Sequence, residues 1–392
     1  MHISKKSSTF APQIKIYTIM RKFFSFFAVV AVVLGMASCG DGNTPINPID
    51  QQAFSFRLVR LGDVAASVVI TPTDPTTEYI SGYVTKDKVW SDEVLANYVE
   101  EHFLKGYTYK ELVENYVIMS GERRVAAVNV APTSDCSFYA CQVDTALNIV
   151  KLENMHVTTL EAGKLQGEFT IDAEGTKVRF SKGNLQRGYG KDGETNDYRF
   201  ADNQWDALQE GNAQTVKQEE GWVDWYIWPK TIHYEYIDPG TNPITNGGNV
   251  ANEWFTLSAE QWDYLLHSRD RASQLSGVGY VKGITGLILL PDNWEGSSIE
   301  EDNSFSNREW WEMELKGAVF LPVTGKSSSL LDVLYDPKQG YYWTSTLEQP
   351  SSDATTWKTD YLWFDDEKGI IMKQLWVWLQ ESYSIRLVQY VK

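Results

Sequence analysis

Hydrophobic positions follow two periods along this chain, and the order of the periods divides it. From residue 54 to about 160, apolar residues recur at alternate positions in short runs rich in β-branched and aromatic side chains, as half-buried strands do. Candidate strands fall at 54–61, 65–71, 79–84, 124–130, 136–143, 148–152 and 156–160, with Pro72, Pro75 and Pro132 at or beyond their ends. Between the third and fourth the period becomes helical. Ser91 can cap a helix that places Val94, Leu95, Tyr98, Val99 and Phe103 on one face, and Thr108-Tyr109-Lys110-Glu111 is a capping box opening a second helix with Leu112, Val113, Tyr116 and Val117 inside. The expected product is a β-sandwich over 53–163 with a helical insertion at 91–118 packed against a sheet edge.

Beyond residue 165 the pattern changes. Elements here are a turn-rich stretch at 177–186, a helix from Ser258 with Trp262, Leu265 and Leu266 on one face, a buried strand at 286–291, and a helix over 306–315 stopped by Gly317. A second buried strand follows at 318–322. The last fifty residues predict a closing sheet, with strands at 340–346 and 382–388 enclosing Trp357, Tyr361, Trp363, Trp376 and Trp378. Only Trp90 of the fifteen tryptophans lies before residue 165. The chain therefore reads as an α+β multidomain protein with two differently built cores.

Seven short strands at this spacing predict an immunoglobulin- or fibronectin type III-like module for the first domain. In the second, the blocks Val178-Arg179-Phe180-Ser181-Lys182-Gly183-Asn184-Leu185-Gln186, Arg199-Phe200-Ala201-Asp202-Asn203-Gln204-Trp205, Glu260-Gln261-Trp262-Asp263-Tyr264-Leu265-Leu266, Gly286-Leu287-Ile288-Leu289-Leu290-Pro291-Asp292-Asn293-Trp294, Gly317-Ala318-Val319-Phe320-Leu321-Pro322, Tyr341-Tyr342-Trp343-Thr344-Ser345-Thr346 and Ser384-Ile385-Arg386-Leu387-Val388 occur in order. This series resembles the Fibrobacter succinogenes major paralogous domain family, over residues 168–392. The resemblance implies a C-type-lectin-like α+β fold and an extracytoplasmic location, and leaves the activity open. That fold is similar to the one used by formylglycine-generating enzymes, but the second domain holds no cysteine for their thiol chemistry.

The N-terminus reads as an address. Arg21-Lys22 precede an apolar run at 23–34 that is too short for a comfortable bilayer span, and Gly35-Met36-Ala37-Ser38 lead directly to Cys39. Residues 1–38 therefore look like a lipoprotein signal segment, with Cys39 as the lipidated first mature residue, 39–52 as a tether, and Met20 as an alternative start. The Asp- and Asn-containing leader after Cys39 resembles that of surface lipoproteins in Bacteroides-like bacteria, which implies the outer membrane or cell surface. A formal charge of −17 argues against nucleic acid and anionic membrane surfaces as partners. Cys136 and Cys141, on one strand at an odd separation, lie on opposite faces roughly 17 Å apart and cannot bridge each other.

Candidate chemistry is sparse. His102, His156, His233 and His267 are scattered, and no metalloprotease or nucleophile-elbow motif is present. Gly188-Tyr189-Gly190-Lys191-Asp192-Gly193 spells a dinucleotide fingerprint but reads as a hairpin loop, because no helix pattern follows it to hold a phosphate. Asp365-Asp366-Glu367 and Glu300-Glu301-Asp302-Asn303 could offer oxygen ligands to calcium, yet neither matches an EF-hand or lectin signature, so no cofactor is expected. Indole faces stack on sugar rings and carboxylates take their hydroxyls. Most tryptophans are expected in the core, with a surface ligand platform at Trp357, Trp363, Trp376 and Trp378 and with Asp365 and Asp366 beside it. The resulting expectation is a membrane-anchored protein that binds a glycan or a surface protein without turnover. The alternatives are a carbohydrate hydrolase using Asp or Glu, or an adhesive surface component.

Overall fold

The computed structural model describes residues 52–85, 90–189, 198–206, 221–224, 243–299, 303–324, 326–329, 332–334, 338–348, 356–367, 369–378 and 383–392. The leader, Cys39 and most of the tether lie outside the described residues. Two compact units divide the chain between Thr159 and Leu160. It is a mixed α+β protein dominated by several separate sheets.

In the first unit, β1 (Phe54–Leu61), β2 (Ala65–Pro72) and β5 (Arg123–Val128) form one antiparallel sheet in the order β1-β2-β5. A second sheet, ordered β4-β3-β6-β7, contains β3 (Tyr79–Thr85), β4 (Ile118–Met119), β6 (Asp135–Val143) and β7 (Ile149–Thr158). The sheets face each other across a core of Phe54, Ala66, Val68, Ile70, Tyr79, Phe138 and Val157. Tyr79 crosses it and donates its hydroxyl to Gly121 O at 2.9 Å. The expected strands at 148–152 and 156–160 are one continuous strand. Its polar centre does not turn the chain, because Glu153 reaches across to accept Ala53 N–H at 3.0 Å and Phe54 N–H at 2.9 Å.

The helical insertion is α1 (Asp92–Val99), continued by a π turn at Glu100–Leu104, and α2 (Tyr109–Glu114). Ser91 caps the first and Thr108–Glu111 closes a full capping box on the second. The insertion covers the outer face of the second sheet and not an edge, since Leu95, Val99, Leu104 and Leu112 pack with Ile80, Val84, Tyr139 and Cys141. Alternation along β6 sends Cys136 to the inter-sheet core and Cys141 to the helix-covered core, as free buried thiols. Both faces of this sheet are thus dry, which explains a burial pattern along β6 that is nearly continuous.

The described residues of the second unit build three cores against several small sheets. Its strands are β8 (Phe169–Thr170), β9 (Lys177–Phe180), β10 (Leu185–Tyr189), β11 (Tyr198–Phe200), β12 (Gly221–Asp224), β13 (Ser276–Val281), β14 (Ile284–Leu289), β15 (Ser304–Phe305), β16 (Val319–Pro322), β17 (Lys326–Ser329), β18 (Asp332–Leu334), β19 (Gln339–Glu348), β20 (Thr356–Asp365), β21 (Gly369–Trp378) and β22 (Val388–Tyr390). Helices α3 (Ala259–Asp263) and α4 (Asn307–Glu314) both open on the expected capping boxes, from Ser258 and Ser306. In the sheet ordered β15-β13-β14-β16, Leu287, Leu289, Val319 and Leu321 face one core while Ile288, Leu290 and Phe320 face another with Trp310 and Met313. In the sheet ordered β19-β20-β21, Tyr342, Leu362 and Phe364 join the first of these cores, and Tyr341, Trp343, Tyr361 and Trp363 build the third.

Three sequence expectations change here. The stretch at 177–186 is two strands joined by a turn. The aromatic segment at 356–378 is itself the body of the closing sheet, as β20 and β21, and not an excursion between its strands. Residues 383–387 are extended but belong to no ladder strand, joined by single contacts such as Trp343 N–H to Ser384 O and Leu185 N–H to Ile385 O, both 3.0 Å. Every residue from 383 to 389 is buried, so the alternation marks two cores and not a core and a solvent face. The chain then closes on itself: β22 pairs antiparallel with β9, in the order β22-β9-β8.

Candidate functional site

Strand register divides the four tryptophans expected to form a platform. In β20 and β21, Trp357 pairs with Val377, while Trp376 and Trp378 stand opposite Lys358 and Thr356. Because strand positions alternate between faces, Trp357 and Trp363 fall on one face of the sheet and Trp376 and Trp378 on the other. Trp363 is only 4% exposed and lies in the aromatic core, its indole N–H 3.3 Å from Gln339 Oε1, so it offers no ring face to a ligand. The side chains of Trp357, Trp376 and Trp378 lie outside the described residues.

Asp365 and Asp366 sit at the β20–β21 turn. Asp365 is buried and its Oδ1 accepts Glu367 N–H at 2.8 Å. Lys338 occupies the cation position beside this turn, its Nζ 2.6 Å from Glu367 Oε1 and 3.8 Å from Asp366 Oδ2. The hydrogen bond to Glu367, and the charges of Asp366 and Glu367, raise the Lys338 pKa above its ordinary value. These acids therefore hold a lysine. Among the described residues no group of three or more His, Cys, Asp or Glu side chains could hold a metal ion. The acids at 300–302, His233 and the rings of Trp222, Trp225 and Trp228 lie outside the described residues.

A cleft of about 390 Å³ opens elsewhere on the second unit, lined by Gln166, Glu168, Lys177, Asp292, Asn293 and Lys316, together with Gly167 and Leu315. Four pieces of chain meet there: the approach to β8, the first residue of β9, the loop after β14, and the end of α4. Asp292 N–H donates to Glu168 O at 3.1 Å, and the Gln166 amide donates to Leu315 O. Behind the cleft the chain crosses itself at Gly167 and Gly317, where a Cβ on Gly167 would fall on the Gly317 carbonyl oxygen. Gly317 holds φ near +93°, ending α4 at the position its sequence predicts.

Charges in the cleft are tightly organised. Asp292 accepts Thr170 N–H at 3.0 Å and Thr170 Oγ1–H at 2.7 Å on Oδ2, and its Oδ1 takes Arg269 Nη1–H at 3.0 Å. Arg269 is 4% exposed; burial pulls its pKa below the ordinary value, while the adjacent Asp292 opposes that shift. Glu168 is held by Arg179 Nη2 at 2.8 Å. Lys177 Nζ stands 3.8 Å from a carboxylate oxygen of each, close enough to neutralise them but beyond hydrogen-bond length. Lys316 Nζ lies 5.7 Å from the centre of the Trp294 ring, and among the described residues Lys316 makes no ion pair and the exposed Asn293 has no hydrogen-bond partner. The lining contains no Ser, Thr, Cys or His. Such a site can bind and orient a polar ligand, and its reactive groups are lysines and carboxylates.

A second polar constellation is wholly internal. Arg386, 1% exposed, donates from Nη2 to Gln204 Oε1 at 2.9 Å and from Nη1 to Asn184 Oδ1 at 3.4 Å. Gln204 also accepts Phe320 N–H at 2.7 Å and donates to Glu314 Oε1 at 2.9 Å. Arg386 thus anchors three sequence-distant segments. The hairpin reading of Gly188-Tyr189-Gly190 also fits, since β10 pairs antiparallel with β11, although 190–197 lie outside the described residues.

The cleft escaped sequence reading because its charges come from segments up to 150 positions apart, and single charges in an acidic chain carry no pattern. The one local signal was Pro291-Asp292-Asn293, a polar pair placed by a strand-ending proline. No protein-family model, curated protein or solved structure matches this chain.

Proposed function

We propose that the chain is a lipid-anchored, cell-surface binding protein whose second unit recognises a glycan without turning it over. The observation that carries this reading is the cleft around Asp292. Its size lies within the range of small-ligand sites, roughly 300–1,000 Å³, and its amides, ammonium groups and carboxylates are the groups that take up sugar hydroxyls. A hydrolase would need two carboxylates free to act on a substrate. Glu168 and Asp292 are instead engaged by Arg179, Arg269 and Thr170.

The finer fold assignments belong to the same reading. The strand orders β1-β2-β5 and β4-β3-β6-β7 support an immunoglobulin- or fibronectin type III-like first unit, which would act as a spacer above the membrane. Pairing of the last strand, β22, with β9 at the start of the second unit supports a C-type-lectin-like domain closed by its own ends. Anchoring rests on the residues preceding Cys39.

The test is binding of the full chain, solubilised in detergent, to an immobilised glycan panel, with release of reducing ends measured in parallel. Binding without release is expected. Absence of binding across the panel refutes recognition of glycans, and reducing-end release abolished by Asp292→Asn would replace binding with hydrolysis. For the anchor, Cys39→Ala should move the protein from the membrane to the soluble fraction; unchanged membrane association refutes lipidation at Cys39.

A further inference from the structure

Building on that reading, we infer that the cleft takes an acidic sugar unit, a uronate or a sulfated hexose, with its anionic group between Lys177 and Lys316. The argument is one of unused bonding capacity. The strong acceptors of the cleft are engaged from behind: Asp292 by Thr170 and Arg269, and Glu168 by Arg179. What faces the open space unspent is donor capacity. Lys177 is attracted by both carboxylates at 3.8 Å but bonded to neither, so its N–H donors are available. Among the described residues Lys316 has no carboxylate partner and Asn293 has no hydrogen-bond partner. An anion satisfies ammonium donors better than a neutral hydroxyl does, because charge-assisted hydrogen bonds are about twice as strong as neutral ones.

Local charge points the same way. The lining balances Lys177 and Lys316 against Glu168 and Asp292, and behind it Arg179 and Arg269 stand on those two acids with Glu161 beside Arg179, four cations to three carboxylates. That local excess of cations stands in a chain of formal charge −17. The position of Lys316 just past α4 also suits the negative end of the helix. That helix-end preference accounts for a cation there, but not for the second unbonded ammonium at Lys177 or for the exposed amide of Asn293 beside them. A planar carboxylate or a sulfate can bridge two ammonium groups, leaving ring hydroxyls for Asn293 and Gln166. Arg269, buried and bonded to Asp292 Oδ1, holds the floor of the site in place.

The experiment is titration calorimetry on the full chain in detergent. The probes are trigalacturonate, its methyl ester, a sulfated heparin tetrasaccharide and the same tetrasaccharide desulfated. At least one acidic probe is expected to bind about tenfold tighter than its neutral counterpart, to weaken as salt rises, and to lose about tenfold in affinity on Lys316→Gln. Lys316 is exposed and unpaired, so this variant should keep its thermal transition; Lys177→Gln provides a second arm. Equal affinity for acidic and neutral forms, or no effect of Lys316→Gln on a folded variant, overturns the inference. If neutral glycans bind and Lys316→Gln leaves them unaffected, glycan recognition stands and the acidic site falls. If no glycan of either kind binds, both fall. A tetraglutamate peptide binding as tightly as the best acidic sugar also overturns it, since the site would then read charge alone.

Discussion

Arg386 shows what a single residue does in the second unit and how far the sequence announces it. An arginine between Ile385 and Leu387 stands among core residues, so its burial follows from its neighbours in sequence. Its acceptors do not, because Asn184 and Gln204 lie about two hundred positions away. Buried guanidinium groups are costly unless their donors are met, and here the Gln204 and Asn184 side-chain amides meet Nη2 and Nη1. Removing the side chain strands Asn184 and Gln204, and Gln204 in turn orients Phe320 N–H and Glu314. Arg386→Ala is therefore expected to destabilise the second unit by on the order of 3 kcal/mol. Arg386→Lys should recover little, since an ammonium cannot reproduce the planar fork. Urea unfolding followed by tryptophan fluorescence measures both. A lysine variant as stable as the parent would show that charge, and not fork geometry, does the anchoring. The cleft residues failed to announce themselves for the converse reason: Lys177, Asp292 and Lys316 each have an ordinary surface context in sequence, and only the crossing at Gly167 and Gly317 brings them together.

At the scale of elements, local rules were the reliable ones. Ser91, Thr108, Ser258 and Ser306 cap the helices they precede, because a capping oxygen and a reaching carboxylate or amide satisfy orphan backbone donors within four residues of sequence. The closing sheet was harder. A run of alternating aromatics was legible as strand at 340–346, but β20 and β21 were read as the material between strands because their tryptophans were assigned to ligand. The sheet lies between two cores, so both faces must be apolar, and the usual contrast between faces is absent. Where the two cores squeeze the sheet, a residue without a side chain is required: Gly340 stands directly opposite Phe364, and a Cβ there would collide with the phenyl ring. Gly340→Ala is expected to cost roughly 1–3 kcal/mol, by overpacking. Gly340→Ala combined with Phe364→Leu should cost less than the sum of the two single changes, because the smaller side chain removes the collision. Additive losses in a double-mutant cycle would place the strain elsewhere.

The whole molecule carries its reporters on separate units. Both described cysteines belong to the first unit, while fourteen of the fifteen tryptophans follow residue 165. Burial pushes the Cys136 and Cys141 thiols up to about 12, so neither forms a thiolate at pH 8 until its unit opens. In Cys39→Ala protein, thiol labelling during urea unfolding should therefore follow the first unit, and tryptophan fluorescence chiefly the second. Acid should separate them further. His156, hydrogen-bonded to Ser137 Oγ at 2.8 Å, has its pKa lowered, first by burial, with Asp92 and Asp135 opposing. A histidine held below its ordinary value near 6.5 binds fewer protons folded than unfolded. Its contribution is complete above about pH 6.5 and is lost as pH falls through the lowered folded value. Lowering the pH from 7 to 5 should accordingly move the thiol-labelling midpoint to lower urea. His156→Gln, which keeps a hydrogen-bonding side chain but cannot titrate, should reduce that displacement. The fluorescence midpoint provides the internal comparison, because the second unit has no counterpart of His156 among its described residues; its His267 is exposed on a helix end beside Asp263. Coincident midpoints at every pH, moving together in His156→Gln, would mean that the two units unfold as one body and that local protonation in the first is felt throughout the chain.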